Sequence, residues 1–255
     1  GTFAFTGADL VEEVTLPKTV TDVEMGAFGG CSGLTKLTVL NKKCNIDPSG
    51  VTVCQYYDYE YQDSEKVYTS TRYSGIIAGY VGSTTEEFAF NNGLKFLDLD
   101  TGEVIQKGQC GDDMTYSIKN GILSITGSGE MYDDPSFRSN SEVTDIFIEE
   151  GVTAIGENAF KNFSKLRTVA LPSTLKDIGD YAFYQCSNLN SVTLPSGLEN
   201  IGSYAFYNCK GLSSISIPGT VKTIDDRAFY YCNIRRLTLE DGIETIGNYA
   251  FAENT

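Results

Sequence analysis

With histidine absent from all 255 positions, the residues left to do chemistry in this chain are lysines, carboxylates, cysteines and tyrosines. That absence removes Ser-His-Asp and Cys-His catalysis, histidine general bases and the commonest metal ligand. A thiol cluster could hold a soft metal or carry redox chemistry. Of the seven cysteines, Cys31, Cys186, Cys209 and Cys232 each follow the phenylalanine of an Ala-Phe pair by three residues. Phe163 and Ala8 take the same place after two other pairs. A slot that accepts Cys, Phe or Ala is an apolar packing slot, where free Cys behaves as a small hydrophobe. Cys44, Cys54 and Cys110 lie elsewhere, and the spacing of Cys44 and Cys54 allows a bridge without deciding it.

The carboxylates offer little more. Asp98-Leu99-Asp100-Thr101-Gly102-Glu103 lacks the spacing of a calcium loop. Asp112-Asp113, Asp133-Asp134 and Asp225-Asp226 read as solvated turns or caps. No metal and no cofactor is expected. The tyrosines are patterned in two ways. Tyr181 and Tyr184, Tyr204 and Tyr207, then Tyr230 and Tyr249, flank successive Ala-Phe pairs. If the pairs stack at the strand spacing of roughly 4.8 Å, these tyrosines form ladders, either as packing or as an amphipathic strip for protein or glycan contact. Separately, Tyr56, Tyr57, Tyr59 and Tyr61 alternate with Asp58 and Glu60, and Tyr68 and Tyr73 follow. That stretch reads as an inserted hairpin, and loops on a scaffold carry function more often than the scaffold does.

The elements that position these residues come from a repeat. Within the repeats Ala-Phe returns at 4, 27, 159, 182, 205, 228 and 250, so 27 − 4, 182 − 159, 205 − 182 and 228 − 205 all give 23, and 250 − 228 gives 22. A fixed period of this size marks stacked supersecondary units. In residues 178–200, Val192-Thr193-Leu194 alternates as a short strand, and Pro195 ends it because proline cannot donate to a ladder. Ser196-Gly197 turns the chain, Leu198 and Ile201 re-enter the core, and Gly202 allows close approach to a neighbouring backbone. Register puts Thr15, Thr38, Ala170, Thr193, Ser216 and Thr238 outward on the strand face, a mostly Ser/Thr surface without an aromatic platform.

Leu189-x-x-Val192-x-Leu194 is the strand signature of leucine-rich repeats. With L-P-x-x-L-x-x-I-G-x-x-A-F-x-x-C around it, the 23-residue unit resembles the BspA-like (Treponema pallidum-type) subfamily of bacterial surface proteins. The resemblance covers residues 146–255 and 3–40. It implies a leucine-rich-repeat solenoid, mostly β, with a parallel strand ladder, a right-handed coil, little helix and β-rich capping segments. Residues 77–96 resemble the segment that closes such arrays, and Ser83 with Glu86 makes an S-x-x-E capping box. Residues 110–129 resemble the opening segment, two alternating strands split by Lys119-Asn120-Gly121. The expected organisation is the last repeats of a first array in 1–40, a closing cap with the Tyr-rich insertion in 41–100, a junction and opening hairpin in 101–150, and a second array in 151–255. One continuous solenoid with a long insertion is the alternative.

The net charge of 19 − 34 = -15 argues against a nucleic-acid partner and against anionic membrane surfaces. No apolar run approaches the roughly eighteen residues of a membrane span, so no membrane insertion is expected. Both ends fall inside a repeat, so the chain reads as an excerpt and a missing signal peptide carries no information. The residues point to a non-enzymatic scaffold. The resemblance implies a secreted or cell-surface protein that binds a protein partner, including host extracellular matrix or other cells. A glycan-binding module using the Tyr ladders, or a spacer in a larger surface enzyme, are the alternatives.

Overall fold

The computed structural model describes residues 1–49, 52–53, 56–62, 65–71, 73, 75–138 and 140–255, with 56–62 and 65–71 described by their backbone pairing. The chain divides into two compact units, Gly1–Gly108 and Gln109–Thr255. Among the described residues, no helix is long and apolar enough to cross a membrane.

The second unit begins with an antiparallel hairpin, Asp113–Lys119 against Ile122–Glu130. Lys119 pairs with Ile122, which leaves Asn120 and Gly121 as a two-residue turn at φ 52 and 78. Both residues at positive φ are what a primed hairpin turn requires. The second strand then templates two parallel ladders. In one, Leu123 pairs Ile146, Ile146 pairs Val169, and Val169 pairs Val192; Ser214–Ile217 and Arg236–Leu239 continue the same position in later coils. In the other, Val152–Ile155 is followed by Asp177–Ile178, Asn200–Ile201, Thr223–Ile224 and Thr245–Ile246.

The third side of each coil is made by the Ala-Phe segment. Phe160 N donates to Ala182 O (2.8 Å), and Phe183, Phe206 and Phe229 N–H groups each donate to the next alanine carbonyl at 2.7 Å. These bonds fix the coil spacing, and the buried rings inherit it. Phe160, Phe183, Phe206, Phe229 and Phe251 stack in succession with centroids 5.1, 5.0, 5.0 and 5.2 Å apart. Each fully buried Phe contributes about 1.5–3 kcal/mol of transfer free energy. The column starts one coil earlier than Ala-Phe does: Phe137 stacks on Phe160 at 5.8 Å, and 160 − 137 is again 23.

The cysteine slot is more than apolar. Cys186 Sγ donates to Phe160 O (3.1 Å), Cys209 to Phe183 O (3.2 Å) and Cys232 to Phe206 O (3.1 Å). Each thiol therefore occupies a carbonyl of the preceding coil while filling the core.

The Ala-Phe corner also has a backbone cost. The residue before Ala and the second residue after Phe lie at positive φ, as in Tyr181 (56) and Gln185 (60), or Tyr204 (57) and Asn208 (59). The first unit puts Gly26 and Gly30 at these places, where the left-handed region costs nothing. Tyrosine there carries strain of order 1 kcal/mol.

In the first unit, Glu13–Leu16, Lys36–Val39, Ile76–Gly79 and Lys95–Asp98 form the parallel ladder. Val53 bridges Phe28, and Phe28 N donates to Thr52 O (2.9 Å), so Thr52-Val53 stands in the Ala-Phe place of a further coil. Tyr56–Gln62 and Glu65–Thr71 leave that coil and pair antiparallel with one another. The helix Thr84–Asn91 closes the unit's core. Ser83 Oγ accepts from Glu86 N (3.3 Å), and Glu86 Oε2 reaches back to Gly82 N (2.6 Å), one residue before the cap. Gly93 at φ 65 ends the helix, with Leu94 N donating to Ala89 O (2.8 Å). Cys44 is buried here, whereas Cys54, and with it a Cys44–Cys54 bridge, lies outside the described residues.

Candidate interaction surface

Two surfaces of the second unit carry residues that could meet a partner. The first lies on the Ala-Phe side. Tyr181 stacks on Tyr204 (4.9 Å, 6°), Tyr184 on Tyr207 (4.8 Å, 11°), and Tyr207 on Tyr230 (5.4 Å, 5°). The two columns touch each other at 5.5 Å between Tyr181 and Tyr184 and 5.7 Å between Tyr204 and Tyr207. Tyr249 does not extend the first column as a tyrosine stack, because Arg227 takes the intervening coil. Its guanidinium lies 5.5 Å from the Tyr204 ring and 5.1 Å from the Tyr249 ring, and Nη1 donates to Tyr204 Oη (2.6 Å). Lys161 caps the other end, 5.1 and 5.3 Å from the Tyr181 and Tyr184 rings. Burial, then neighbouring phenols, push the hydroxyls of Tyr181 and Tyr184 above the ordinary range, so these groups stay protonated hydrogen-bonding partners.

This geometry decides what the strip offers. Tyr204, Tyr207, Tyr181 and Tyr184 each have a ring or a cation against both faces. Edges and hydroxyls of these half-buried rings remain for a partner. A sugar ring stacks its C–H face on an open aromatic face, and the inner rings have none to give.

The second surface is the outward strand face. Thr193, Ser216 and Thr238 are exposed there, as register requires. Two coils before Thr193, beyond Ala170, the same column holds Phe147, paired between Ser124 and Ala170 and 53% exposed. The face therefore does carry an aromatic group, contrary to the smooth Ser/Thr surface expected. The repeat period carries the signal, since 170 − 147 is 23. In the first unit the same column is buried at Thr38 and Ala78, while Thr15 stays exposed.

At the starts of these strands, Thr144, Lys165, Arg167, Asn188 and Asn190 line a cavity of about 350 Å³. Lys165 is paired with Glu142 at 3.1 Å. Hydrogen bonds from Thr168 Oγ1 (2.5 Å) and Thr144 Oγ1 (2.8 Å), with Arg167 as a weaker influence, hold the Asp145 carboxyl below the usual range.

The remaining candidates are absorbed by structure. Asp98 accepts from Thr101 Oγ1 (2.6 Å) and Asp100 N (3.1 Å), closing its own turn. Among the described residues, no group of three or more His, Cys, Asp or Glu is placed to hold a metal. Tyr56, Tyr57, Tyr59 and Tyr61 lie on the self-paired hairpin of the first unit, where Tyr59 is opposite Tyr68 and Tyr61 opposite Lys66.

Comparison with known proteins follows the same lines. The profile of the family described as the BspA type leucine rich repeat region matches residues 1–74 and 132–255, in six copies. The chain belongs to that family. The BspA-type match takes in the coil at Thr52-Val53 and the one at Phe137. No curated protein matches the chain. Solved structures similar to it include the T. pallidum leucine rich repeat protein, at 19% identity, 59% of this chain, 87% of that one and TM-score 0.44. A leucine rich cell surface protein from Faecalibacterium prausnitzii is 22% identical over 56% of this chain and 51% of that one, with TM-score 0.40. The pneumococcal vaccine antigen PcpA is 17% identical over 93% of this chain and 56% of that one, with TM-score 0.39. This BspA-type chain thus spans about half the length of the last two.

Proposed function

We propose that this BspA-type chain is a non-enzymatic, secreted or cell-surface scaffold whose second unit docks a protein partner across its strand face. The observation that carries the reading is Phe147. It stands 53% exposed, paired between Ser124 and Ala170 on a face of otherwise small residues, mostly Ser and Thr. An exposed aromatic standing alone among small residues on a strand ladder is a candidate interface anchor, and the Ser and Thr around it pair readily with a partner's backbone. Arg167 and Lys165 at the edge of the face add polar selectivity. The Tyr181–Tyr204 and Tyr184–Tyr207 edges provide a second contact strip for a large partner. Host extracellular-matrix proteins are the partners that the family resemblance brings forward, and the covered faces of the inner rings favour protein over glycan.

The test is binding to immobilised fibronectin, laminin and collagen, beside a glycan array, for the native chain and two variants. Phe147→Ser is expected to weaken matrix-protein binding about tenfold or more. Tyr204→Ser with Tyr207→Ser is expected to weaken it less. Undiminished binding in both variants, or binding to glycans alone, would sink this reading.

A further inference from the structure

Six tyrosines of the Ala-Phe side, Tyr181, Tyr184, Tyr204, Tyr207, Tyr230 and Tyr231, form one connected set of phenols. Tyr231, which is 44% exposed, lies 6.1 Å from Tyr230; Tyr230 lies 5.4 Å from Tyr207, and Tyr207 lies 4.8 Å from Tyr184. Tyr184 continues to Tyr181 at 5.5 Å, Tyr181 to Tyr204 at 4.9 Å, and Tyr204 returns to Tyr207 at 5.7 Å. An electron hole entering at the exposed end has near neighbours all along this path. Outside this array the readily oxidised side chains are the chain's other tyrosines, the exposed Tyr249 and Tyr132 among them, and among the described residues these two have no stacked phenol beside them. The chain has no tryptophan, no histidine and three methionines. The thiols nearest in the fold, Cys186, Cys209 and Cys232, are buried and hold their protons on backbone carbonyls. The thiolate is the reactive form of cysteine.

We propose that this array is an oxidative cross-linking site, at which a haem peroxidase using hydrogen peroxide converts a stacked pair on adjacent coils, Tyr184 with Tyr207 or Tyr207 with Tyr230, into dityrosine. Each phenol gives up one electron and one proton and becomes a phenoxyl radical. The ring carbons ortho to the two oxygens join in one new carbon–carbon bond. The hydrogens on those carbons then move to the two oxygens, which restores both aromatic rings and both hydroxyls. The two electrons and two protons released reduce one hydrogen peroxide to two waters. The parallel stack favours this outcome because it holds like edges of the two rings one above the other. The product joins two coils covalently across 207 − 184 = 23 residues, or 230 − 207 = 23. Stapling adjacent coils removes freedom from the unfolded chain, as a disulfide does. The inference stands apart from the docking face at Phe147 and needs no partner.

The experiment treats the dilute full chain with a haem peroxidase and hydrogen peroxide. Expected are a monomer lighter by two hydrogens, dityrosine fluorescence, a cross-linked peptide pair containing Tyr207 with Tyr184 or Tyr230, and a higher melting midpoint. Tyr207→Phe keeps a stackable ring but no phenol, so it stays folded by circular dichroism and loses that peptide pair. Dityrosine confined to covalent dimers, or mapped to tyrosines outside these pairs, overturns the proposal. So does an undiminished monomer cross-link in Tyr207→Phe.

Discussion

Burial pushes the Cys186 and Cys232 thiols from the ordinary 9.0 up to about 12, and the same cause raises Cys209. Each neutral thiol donates to a carbonyl of the preceding coil, so the fold depends on the protonated form. A folded-state value above the unfolded one means these thiols contribute their full stability below about pH 9. That contribution is lost as pH rises towards 12. Urea midpoints measured from neutral pH upward should fall over this window, and Cys186→Ala should flatten the fall while costing about 1–3 kcal/mol at neutral pH. A flat native profile would show that the thiols titrate freely. Asp225 carries the opposite lesson. It stands where Gly156, Gly179 and Gly202 stand in other coils, and burial, then Asp180 and Asp226, raise its carboxyl. A raised carboxyl favours folding only when protonated, so its ionised form works against the fold at neutral pH. Asp225→Asn should raise the melting midpoint at pH 7, with the gain shrinking as pH falls towards the ordinary carboxyl value of 3.8. An equal gain at all pH values would assign the effect to something other than charge.

The coil as an element is limited by how closely backbones approach at its corners. A Cβ on Gly202 would meet Asp180 Oδ1 at 2.5 Å, Asp180 N at 2.8 Å and Gly179 C at 2.8 Å. One at Gly197 would meet Ser173 O at 3.4 Å and Lys176 Nζ at 3.6 Å, ordinary contacts. Gly202→Ala should therefore cost about 1–3 kcal/mol, because backbone cannot yield as a side chain would. Gly197→Ala should be neutral or stabilising by about 0.4–1 kcal/mol, through the unfolded chain's lost freedom. Thermal melts of the two variants check the contrast, and equal effects would refute it. Elements of this kind were legible where side chains repeat: Ala-Phe, the L-P turn and Asn120-Gly121 announce core, strand end and hairpin. The coils at Thr52-Val53 and Ser136-Phe137 escaped because the corner needs its backbone bonds and some buried apolar bulk, not those two letters. Phe147 escaped for a related reason, since its coil lacks an Ala-Phe to set the register. The positive φ of Tyr181 and Tyr204 had no signal at all, because tyrosine is not a residue that advertises such a conformation. Stacking of the two rings, worth about 0.5–1.5 kcal/mol, offsets that strain.

At the scale of the whole molecule, we propose that residues 109–255 form an array opened by its own hairpin, while the first unit is the end of another array closed by the Thr84–Asn91 helix. The buried cluster running from Cys110 to Ala250 is continuous through the coils of the second unit. In such a stack each coil interacts with its neighbours alone, so stability is close to a sum of coils and interfaces. Two excisions separate a coil from a cap. Removing residues 178–200 joins Asp177 to Ile201, and since 201 − 178 is 23 every later residue moves into an equivalent slot, with Phe206 now over Phe160. That protein should remain monomeric with the same circular dichroism shape and a lower melting midpoint. Removing the hairpin residues 109–130 from the 109–255 fragment instead leaves Asp145–Ile148 and Val152–Ile155 without their first partner strand. An uncovered parallel ladder invites association, so this product should elute as aggregate. The intact 109–255 fragment is the reference for both, expected to fold and melt cooperatively alone. A fragment that folds only when residues 1–108 are attached would favour one continuous solenoid over two arrays. If instead the coil excision unfolds the protein, the coils are not interchangeable and the additive picture of this stack fails.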